Sequence, residues 1–241
     1  MKRTLVMGIV NVTPDSFSDG GRYFSVGEAV RRARNMVQEG ADIIDIGGES
    51  TRPDSEPVGW EEEWARVEGV IAELVPVLKG KAALSIDTYH PQTAARAVAA
   101  GVKIINCVSP AAVPEMLGLV AGDRSLELVS PASCLGIIPA ETMERVYLDP
   151  MIGFGTTREE DLALLKSIPD LASFARVLVG ASRKRIVKKL TGEKLTGKNL
   201  GGNLGIALWC AMNGASVVRV HDVKETVQAL KVFAALSGGR D

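Results

Sequence analysis

Polar or charged residues follow seven short apolar runs of the sequence, each at the point where the run ends. They are Asn11, the GGESTRP segment at 47–53, Asp87 with Thr88, Asn106, the DPMIGFG segment at 149–155, the GASRKR segment at 180–185 and the RVHD segment at 219–222. An Asp or Asn in such a place is often only the N-cap of the next helix. Seven places that together supply carboxylate, amide, guanidinium, ammonium and imidazole groups indicate one functional site instead.

Three of these residues, Asp87, Asn106 and Asp149, are suited to hold a planar heterocycle. One carboxylate accepts two hydrogen bonds side by side, which matches the N–H and NH2 edge of a nitrogen-rich ring. Lys184 lies between this group and a second group, which is mainly cationic. The residue types therefore predict a heterocyclic ligand.

The second group consists of Asn11, Arg219 and His221, which follow the first and last apolar runs. In a closed barrel the first and last strands are neighbours. Barrels commonly bind phosphate near their last strands, through cationic groups and helix N-termini. Together the two groups predict a phosphorylated, nitrogen-rich ring as the ligand.

Eight apolar runs qualify as the strands that would position these residues: 4–10, 42–46, 82–87, 103–108, 126–130, 145–148, 176–180 and 216–220. Several are apolar throughout, as in parallel strands that are buried on both faces. Amphipathic helices are predicted between them, including those at 26–39, 60–78, 91–100 and 198–214. This alternation predicts an α/β fold, a (β/α)8 TIM barrel in one domain over 1–241, with a doubly wound open sheet as the alternative.

The fifth unit departs from this alternation. The stretch between the fifth and sixth runs is short and contains Pro131, Gly136 and Pro139. Proline and glycine both disfavour helix interiors. We therefore expect the helix after strand 5 to be truncated or missing.

The composition excludes several classes of protein. A net charge of −1 gives no electrostatic reason to expect nucleic acid as a partner. No apolar run approaches the roughly 18 residues of a membrane span, and the apolar run at the start is too short for a signal peptide. The three cysteines, Cys107, Cys134 and Cys210, are far apart and odd in number, which argues against a disulfide framework or a zinc site. We expect a cytoplasmic protein.

Six segments resemble, in order and approximate spacing, the characteristic segments of the dihydropteroate synthase family: MGIVNVTPDSFSDGG, GGESTRP, SIDT, DPMIGFG, SRK and RVHDV. The resemblance extends over essentially the whole chain. It implies a pterin-binding TIM barrel that forms a homodimer. It also implies a transferase of folate biosynthesis, which joins 6-hydroxymethyl-7,8-dihydropterin diphosphate to 4-aminobenzoate and releases pyrophosphate, with Mg²⁺ as cofactor.

The resemblance implies roles for individual residues. The residues that match pterin-binding positions are Asp87, Asn106, Asp149 and Lys184. Those that match the diphosphate site are Asn11, Arg219 and His221, of which Asn11 also lies at the magnesium ion. Those that match the aminobenzoate pocket and its closing loops are Phe17, Thr51, Arg52, Pro53 and Phe154. Lys184, Asp87 and Arg219 are the residues expected to be catalytic.

Three features depart from the family pattern. The fifth unit lacks its usual segment and helix, and Cys107 stands where an aspartate is usual. In the DPMIGFG segment, Met151 and Thr156 stand where a glycine and a lysine are usual. A neutral thiol cannot replace the charge or the hydrogen bonds of a carboxylate. A methionine also restricts a backbone position that glycine leaves free.

These departures leave three functions open. The first is an active dihydropteroate synthase with a trimmed fifth unit, which the retained polar residues favour. The second is a paralogue that binds a pterin without synthase activity, as a sensor or partner subunit, which the lost helix favours. The third is a pterin-dependent corrinoid methyltransferase, which has no evident need for the cationic RVHDV segment.

Overall fold

Eight parallel strands close into a barrel in the computed structural model of the protein, which describes residues 3–13, 26–49 and 56–238. The strands are β1 (Leu5–Asn11), β2 (Ile43–Gly47), β3 (Ala83–Asp87), β4 (Ile104–Asn106), β5 (Glu127–Pro131), β6 (Val146–Asp149), β7 (Arg176–Val179) and β8 (Val217–Val220). β1 pairs with both β2 and β8, which closes the sheet. The predicted barrel is therefore confirmed, and the open-sheet alternative is wrong.

Helices alternate with the strands along the chain. In the described part they are α1 (Val26–Gln38), α2 (Trp60–Leu78), α3 (Pro91–Ala99), α4 (Val113–Gly122), α5 (Arg158–Lys166), α6 (Ile168–Ala172), α7 (Arg185–Thr191), α8 (Leu200–Met212) and α9 (Val223–Leu236). The helix predicted at 60–78 has the bounds of α2, and α8 is two residues shorter at each end than predicted. None of the described helices is both long and apolar enough to cross a membrane.

Local sequence explains where two of these helices begin. Pro91 occupies the first turn of α3, where its missing N–H costs nothing. Thr157 and Glu160 form a capping box at the start of α5. The Thr157 hydroxyl accepts from the Glu160 N–H at 3.2 Å, and the Glu160 carboxylate accepts from the Thr157 N–H at 2.6 Å. This cap fixes the end of the loop that follows β6.

The barrel interior is filled by a cluster of apolar side chains, which we call the plug: Met7, Ile43, Ile104, Val129, Tyr147, Leu178 and Val217. A larger cluster packs the outer faces of the strands against the helices. Side chains alternate between the two faces of a strand, so residues two positions apart point the same way. The residue two positions after each plug residue therefore faces the barrel axis, one layer nearer the carboxyl ends of the strands.

The fifth unit has no α-helix between β5 and β6, a stretch that the structure describes in full. Two short 3₁₀ helices, Ala132–Ile137 and Ala140–Arg145, take its place. The Arg145 guanidinium reaches from the second of them to the carbonyl oxygens of Val120, Asp123 and Leu126, at 2.6, 3.1 and 3.3 Å. The predicted truncation is confirmed, and one arginine ties the short unit to the end of α4.

Candidate active site

A layer of polar side chains lies directly on the plug at the carboxyl ends of the strands. Asp45, Asn106, Asp149 and Arg219 each come two residues after a plug residue on the same strand. Asp87 follows Ala83, which packs against the plug, by four residues and so faces the axis as well. All four carboxylate and amide residues are buried. The strand geometry therefore gathers the predicted residues Asp87, Asn106, Asp149 and Arg219 around one axis.

Arg219 lies between two carboxylates in this layer. Its Nε is 2.6 Å from Asp45 Oδ2, and one terminal nitrogen is 2.5 Å from Asp87 Oδ2. Burial alone would lower the pKa of Arg219, but Asp45 and Asp87 raise it above its ordinary value. The guanidinium is therefore a fixed cation at the base of the site. It points toward the barrel axis rather than toward the outer rim.

Asp45 belongs to this layer, and the sequence-based interpretation does not include it. Its side chain is 0 % exposed, and its Oδ2 accepts from Asn106 Nδ2 at 2.9 Å as well as from Arg219. The run at 42–46 is predicted only as an apolar strand, although it contains this acid. The signal was present, since Asp45 shares the inward face of β2 with Ile43.

Three acceptor atoms of this layer are left over. Asp45 Oδ1, Asp87 Oδ1 and Asn106 Oδ1 are buried, and within the described residues no donor reaches them. Buried polar atoms are normally hydrogen-bonded. Because the Asn106 amide nitrogen donates to Asp45, its oxygen is the atom that remains available. The layer therefore offers acceptors to a ligand whose edge carries N–H donors.

Two carboxylates of the layer have raised pKa values. Burial raises the pKa of Asp87 to about 7, while Arg219 pulls in the opposite direction. Burial also raises the pKa of Asp149, and Lys184 opposes that change. Perturbed carboxylates of this kind concentrate at functional sites.

Lys184 is the N-cap residue of α7, and its ammonium group reaches the loop that follows β6. Its Nζ donates to the Ile152 carbonyl at 2.6 Å and lies 4.3 Å from the centre of the Phe154 ring. Burial lowers the pKa of Lys184 to about 8, and Asp149 acts against that shift. Phe154 and Lys184, both predicted site residues, therefore lie side by side.

The sequence predicts one group of Asn11, Arg219 and His221, but the contacts of His221 in the structure are with other residues. In the described part of the chain its Nδ1 lies 3.1 Å from Ser182 Oγ, and no hydrogen bond joins it to Arg219 or Asn11. It lines an open cavity of about 410 Å³ together with Arg183 and the α1 residues Arg31 and Arg32. Burial, with Arg183 and Arg219 nearby, lowers the pKa of His221 to about 3, so the imidazole is neutral at pH 7.

The three residues that differ from the family pattern, Cys107, Met151 and Thr156, each have specific contacts in the structure. Cys107 is buried, donates to the Ser109 carbonyl at 3.4 Å, and has its pKa raised to about 11 by burial, so the thiol is neutral. Met151 has a φ of +62°, a conformation that glycine adopts freely, and its N–H donates to Asp149 Oδ1 at 2.7 Å. The Thr156 hydroxyl donates to Asp161. Met151 therefore fills the glycine position without releasing Asp149.

Some predicted residues cannot be placed. Phe17, Thr51, Arg52 and Pro53 lie outside the described residues. Asn11 is the last residue of β1, in register with Gly47.

The described residues contain no group of three or more His, Cys, Asp or Glu that could hold a metal ion.

Comparison with known proteins gives the family. A sequence profile of the family described as "Pterin binding enzyme" matches residues 7–130 and 138–221, and its gap falls in the shortened fifth unit. A dihydropteroate synthase of Synechocystis is 37 % identical, with 98 % of this chain and 91 % of the relative covered. One from Neisseria meningitidis serogroup B is 38 % identical, with coverages of 96 % and 92 %.

Solved structures agree with this assignment. The Xanthomonas albilineans dihydropteroate synthase with 4-aminobenzoic acid superposes with a TM-score of 0.88 at 38 % identity, covering 99 % of this chain and 95 % of that chain. The same enzyme in complex with 7,8-dihydropteroate gives a TM-score of 0.85 at 36 % identity, with the same coverages. The chain belongs to the dihydropteroate synthase family of pterin-binding enzymes.

Proposed function

We propose that the protein is an active dihydropteroate synthase, which joins 6-hydroxymethyl-7,8-dihydropterin diphosphate to 4-aminobenzoate and releases pyrophosphate. One observation carries the proposal. Asp87, Asn106 and Asp149 face one axis above the plug, and Lys184 is near enough to oppose the rise in the pKa of Asp149. Acceptor atoms of Asp87 and Asn106 have no partner in the described chain. All three functions would keep a pterin pocket. Synthesis is favoured over the other two because relatives 37 % and 38 % identical over nearly the full chain are dihydropteroate synthases.

The pterin ring carries N–H and NH2 donors on one edge and a carbonyl acceptor on another. In our proposal the donors meet Asp87 Oδ1, Asn106 Oδ1 and the Asp149 carboxylate, which would satisfy the two acceptors left over at Asp87 and Asn106. The Lys184 ammonium supplies the donor for the ring carbonyl. Arg219 stays between Asp45 and Asp87 and holds the carboxylate of Asp87 in place.

The reaction is a substitution at the exocyclic CH2 of the pterin. The bond from this carbon to a diphosphate oxygen breaks, a bond to the amine nitrogen forms, and that nitrogen then loses a proton to the released pyrophosphate. The electron-rich pterin stabilises positive charge on the CH2, so the protein must hold the ring, neutralise the leaving group and exclude water. An aromatic amine is already nucleophilic, and no strong general base is required.

In this proposal the diphosphate lies beside Asn11, Arg219 and His221. Asn11 and the neutral imidazole of His221 can hydrogen-bond to it. Arg219, in contrast, is already paired with Asp45 and Asp87. Mg²⁺ commonly keeps several waters and takes its remaining ligands from phosphates and one or two protein oxygens. The donor available at the end of β1 fits this mode, since Asn11 offers one amide oxygen there. When bound, Mg²⁺ would offset the charge of the diphosphate.

The acceptor pocket begins at Phe154, whose ring lies beside the Lys184 ammonium. We propose that this ring packs against 4-aminobenzoate and that Phe17, Thr51, Arg52 and Pro53 complete the pocket. Met151 departs from the family pattern without disturbing the site, since its backbone N–H still donates to Asp149. Cys107 is buried and neutral, so it does not supply the carboxylate that is usual at its position.

We also infer a cytoplasmic homodimer. The three cysteines are free and buried, which supports a reducing compartment. Large apolar side chains are exposed on or near α7 and α8: Leu190, Leu195, Trp209 and Met212. Exposed apolar groups of this kind are typical of subunit interfaces. Light scattering of the purified protein at micromolar concentration would measure its mass, and a monomer would contradict this part of the proposal.

The test of function is pyrophosphate release with pterin diphosphate, 4-aminobenzoate and Mg²⁺, alongside calorimetric binding of the pterin diphosphate. We expect release that depends on 4-aminobenzoate, with dihydropteroate as the product. Lys184→Ala and Asp149→Asn should each lower kcat/KM by about a hundredfold, because each removes a group that holds the ring. Lys189→Ala, an exposed lysine of α7, is the matched control. Binding without turnover would support the inactive paralogue instead.

A further inference from the structure

A completely buried carboxylate, that of Asp161, lies outside the polar layer above the plug. It is in the first turn of α5 and is 0 % exposed. Its Oδ1 accepts from the Gly153 N–H at 2.8 Å and from the Thr156 hydroxyl at 2.5 Å. Within the described residues Oδ2 has no hydrogen-bond partner, and the Arg185 guanidinium is 3.9 Å away. Both donors belong to the loop over 150–157, which we call the β6–α5 loop.

The β6–α5 loop has a backbone that requires support. Met151, Gly153 and Gly155 have φ values of +62°, +77° and +69°. A left-handed conformation costs a residue with a side chain about 1–2 kcal/mol. The two hydrogen bonds to Asp161 connect the middle and the end of this loop to the first turn of α5, which fixes its shape.

The same loop surrounds the Lys184 side chain. Ile152 supplies the carbonyl that accepts from Nζ at 2.6 Å, and Phe154 places its ring 4.3 Å from Nζ. Gly153 packs against the aliphatic part, since a Cβ on it would lie 3.2 Å from Lys184 Cδ. The residue whose N–H is held by Asp161 thus sits between the two that contact the ammonium.

We propose that Asp161 is a positioning residue for substrate binding, which holds the β6–α5 loop and so directs the Lys184 ammonium toward the pterin. This inference rests on the proposed role of Lys184 in the synthase reaction. It also explains a departure from the family pattern. Thr156, at the place where a lysine is usual, gives its hydroxyl to Asp161 and so belongs to the support of the loop.

Two variants separate the hydrogen bonds of Asp161 from its charge. Asp161→Ala removes both bonds, and we expect the KM for pterin diphosphate to rise about tenfold with a smaller change in kcat. Asp161→Asn keeps a carbonyl oxygen for the same two donors, and we expect its KM to stay within about threefold of the wild-type value. An asparagine variant as impaired as the alanine variant would overturn the proposal.

The control is a buried threonine of the shortened fifth unit. Thr142 Oγ1 donates to the Pro139 carbonyl at 2.7 Å, and Thr142→Val removes that bond far along the chain from Lys184. We expect this variant to lower the Tm and leave the KM unchanged. A rise in KM in Thr142→Val as large as in Asp161→Ala would show that lost stability alone accounts for the effect, against the proposal.

A double-mutant cycle tests whether Asp161 acts through Lys184. In the Lys184→Ala background, Asp161→Ala should have no further effect on kcat/KM, because the group that it positions is gone. Losses that multiply would mean that the two residues act independently, and the proposal would fail.

A second readout does not depend on turnover. Acetylation of Lys184 by acetic anhydride, followed by peptide mass spectrometry, reports whether the loop still covers the ammonium. We expect labelling to be several-fold faster in Asp161→Ala than in the wild type, Asp161→Asn or Thr142→Val. Unchanged labelling in Asp161→Ala would overturn the inference even in an active enzyme. A wild-type protein that makes no dihydropteroate would refute the proposed function while this labelling still decides the role of Asp161.

Discussion

Asp45 and Arg219 are 174 positions apart in the chain, and closure of the barrel brings Asp45 Oδ2 to within 2.6 Å of Arg219 Nε. Arg219 also contacts Asp87, and Asp45 also accepts from Asn106. This pair therefore connects the carboxylate and the amide that we assign to the pterin. It forms the base on which the proposed pocket rests.

Asp45→Ala should be strongly destabilising. It leaves Arg219 with one carboxylate and removes the acceptor of Asn106, and breaking a buried ion pair costs about 3–5 kcal/mol. Urea unfolding measures the loss. The control is Arg3→Ala, which breaks the exposed Arg3–Asp42 pair and should cost less than about 1 kcal/mol. Similar losses in the two variants would contradict the role that we give to Asp45.

Much of this fold and site follows from the sequence. Apolar runs that end in polar residues located the strands, and Asp87, Asn106, Asp149 and Arg219 meet as a barrel requires. Asp87 closes its apolar run and Asp149 directly follows one, while Asn106 and Arg219 are polar residues near the ends of theirs, which makes all four visible in the sequence. Strand alternation also places Asp45 on the inward face of β2, two residues after Ile43, although it lies inside its apolar run.

Two features could not be predicted from local patterns. His221 shares the inward parity of Arg219, yet β8 ends at Val220 and the imidazole turns to Ser182. Proline and glycine showed that the fifth helix was short, but the arginine that takes over its support contacts carbonyls 19 to 25 residues away. Such contacts depend on packing between elements, which no short stretch of sequence records.

The rate should have a bell-shaped dependence on pH. Burial raises the pKa of Asp87 to about 7, so Asp87 loses its charge below that pH and with it an acceptor for the ring donors. Burial lowers the pKa of Lys184 to about 8, so its ammonium loses a proton above that pH. We expect kcat/KM for pterin diphosphate to be highest between about pH 7 and 8 and to fall about tenfold per pH unit on each side.

A lysine variant assigns the alkaline limb of this profile. Lys184→Met should lower kcat/KM at every pH and remove the change near pH 8, while the change near pH 7 remains. Profiles measured from pH 5.5 to 9.5 in overlapping buffers would show this. An alkaline limb that persists in Lys184→Met would assign it to another group.

Met151→Gly should stabilise the protein. Met151 has a φ of +62°, which costs a side-chain-bearing residue about 1–2 kcal/mol. Glycine removes that cost but gains freedom in the unfolded chain, worth about 0.4–1 kcal/mol. We expect a net gain of up to about 1 kcal/mol in the free energy of unfolding. The N–H donated to Asp149 is kept in the variant.

The matched variant is Met151→Ala, which also shortens the side chain but keeps a Cβ. It should bring no gain, since the strained conformation remains. Thermal unfolding of the three proteins in parallel makes the comparison. Equal stability of the glycine and alanine variants would show that the side chain rather than the backbone determines the outcome at this position.

Arg145→Met tests what replaces the missing fifth helix. One guanidinium nitrogen of Arg145 serves the carbonyls of Val120, Asp123 and Leu126, which lie in and after the last turn of α4. Removal leaves these acceptors without this donor and should lower the free energy of unfolding by about 1–3 kcal/mol. Arg145→Lys keeps a charged donor of different shape, so its free energy of unfolding should lie between those of Arg145→Met and the wild type.

Arg124→Met, at an exposed neighbouring arginine, is the control and should change stability by less than about 0.5 kcal/mol. We expect kcat/KM to be unaffected in Arg145→Met, because its contacts lie on α4 and the strand entry rather than on the polar layer. Equal stability of the two methionine variants would mean that the short unit is held by packing alone. A loss confined to Arg145→Met would show that three carbonyl bonds to one side chain stabilise the short unit in place of the fifth helix.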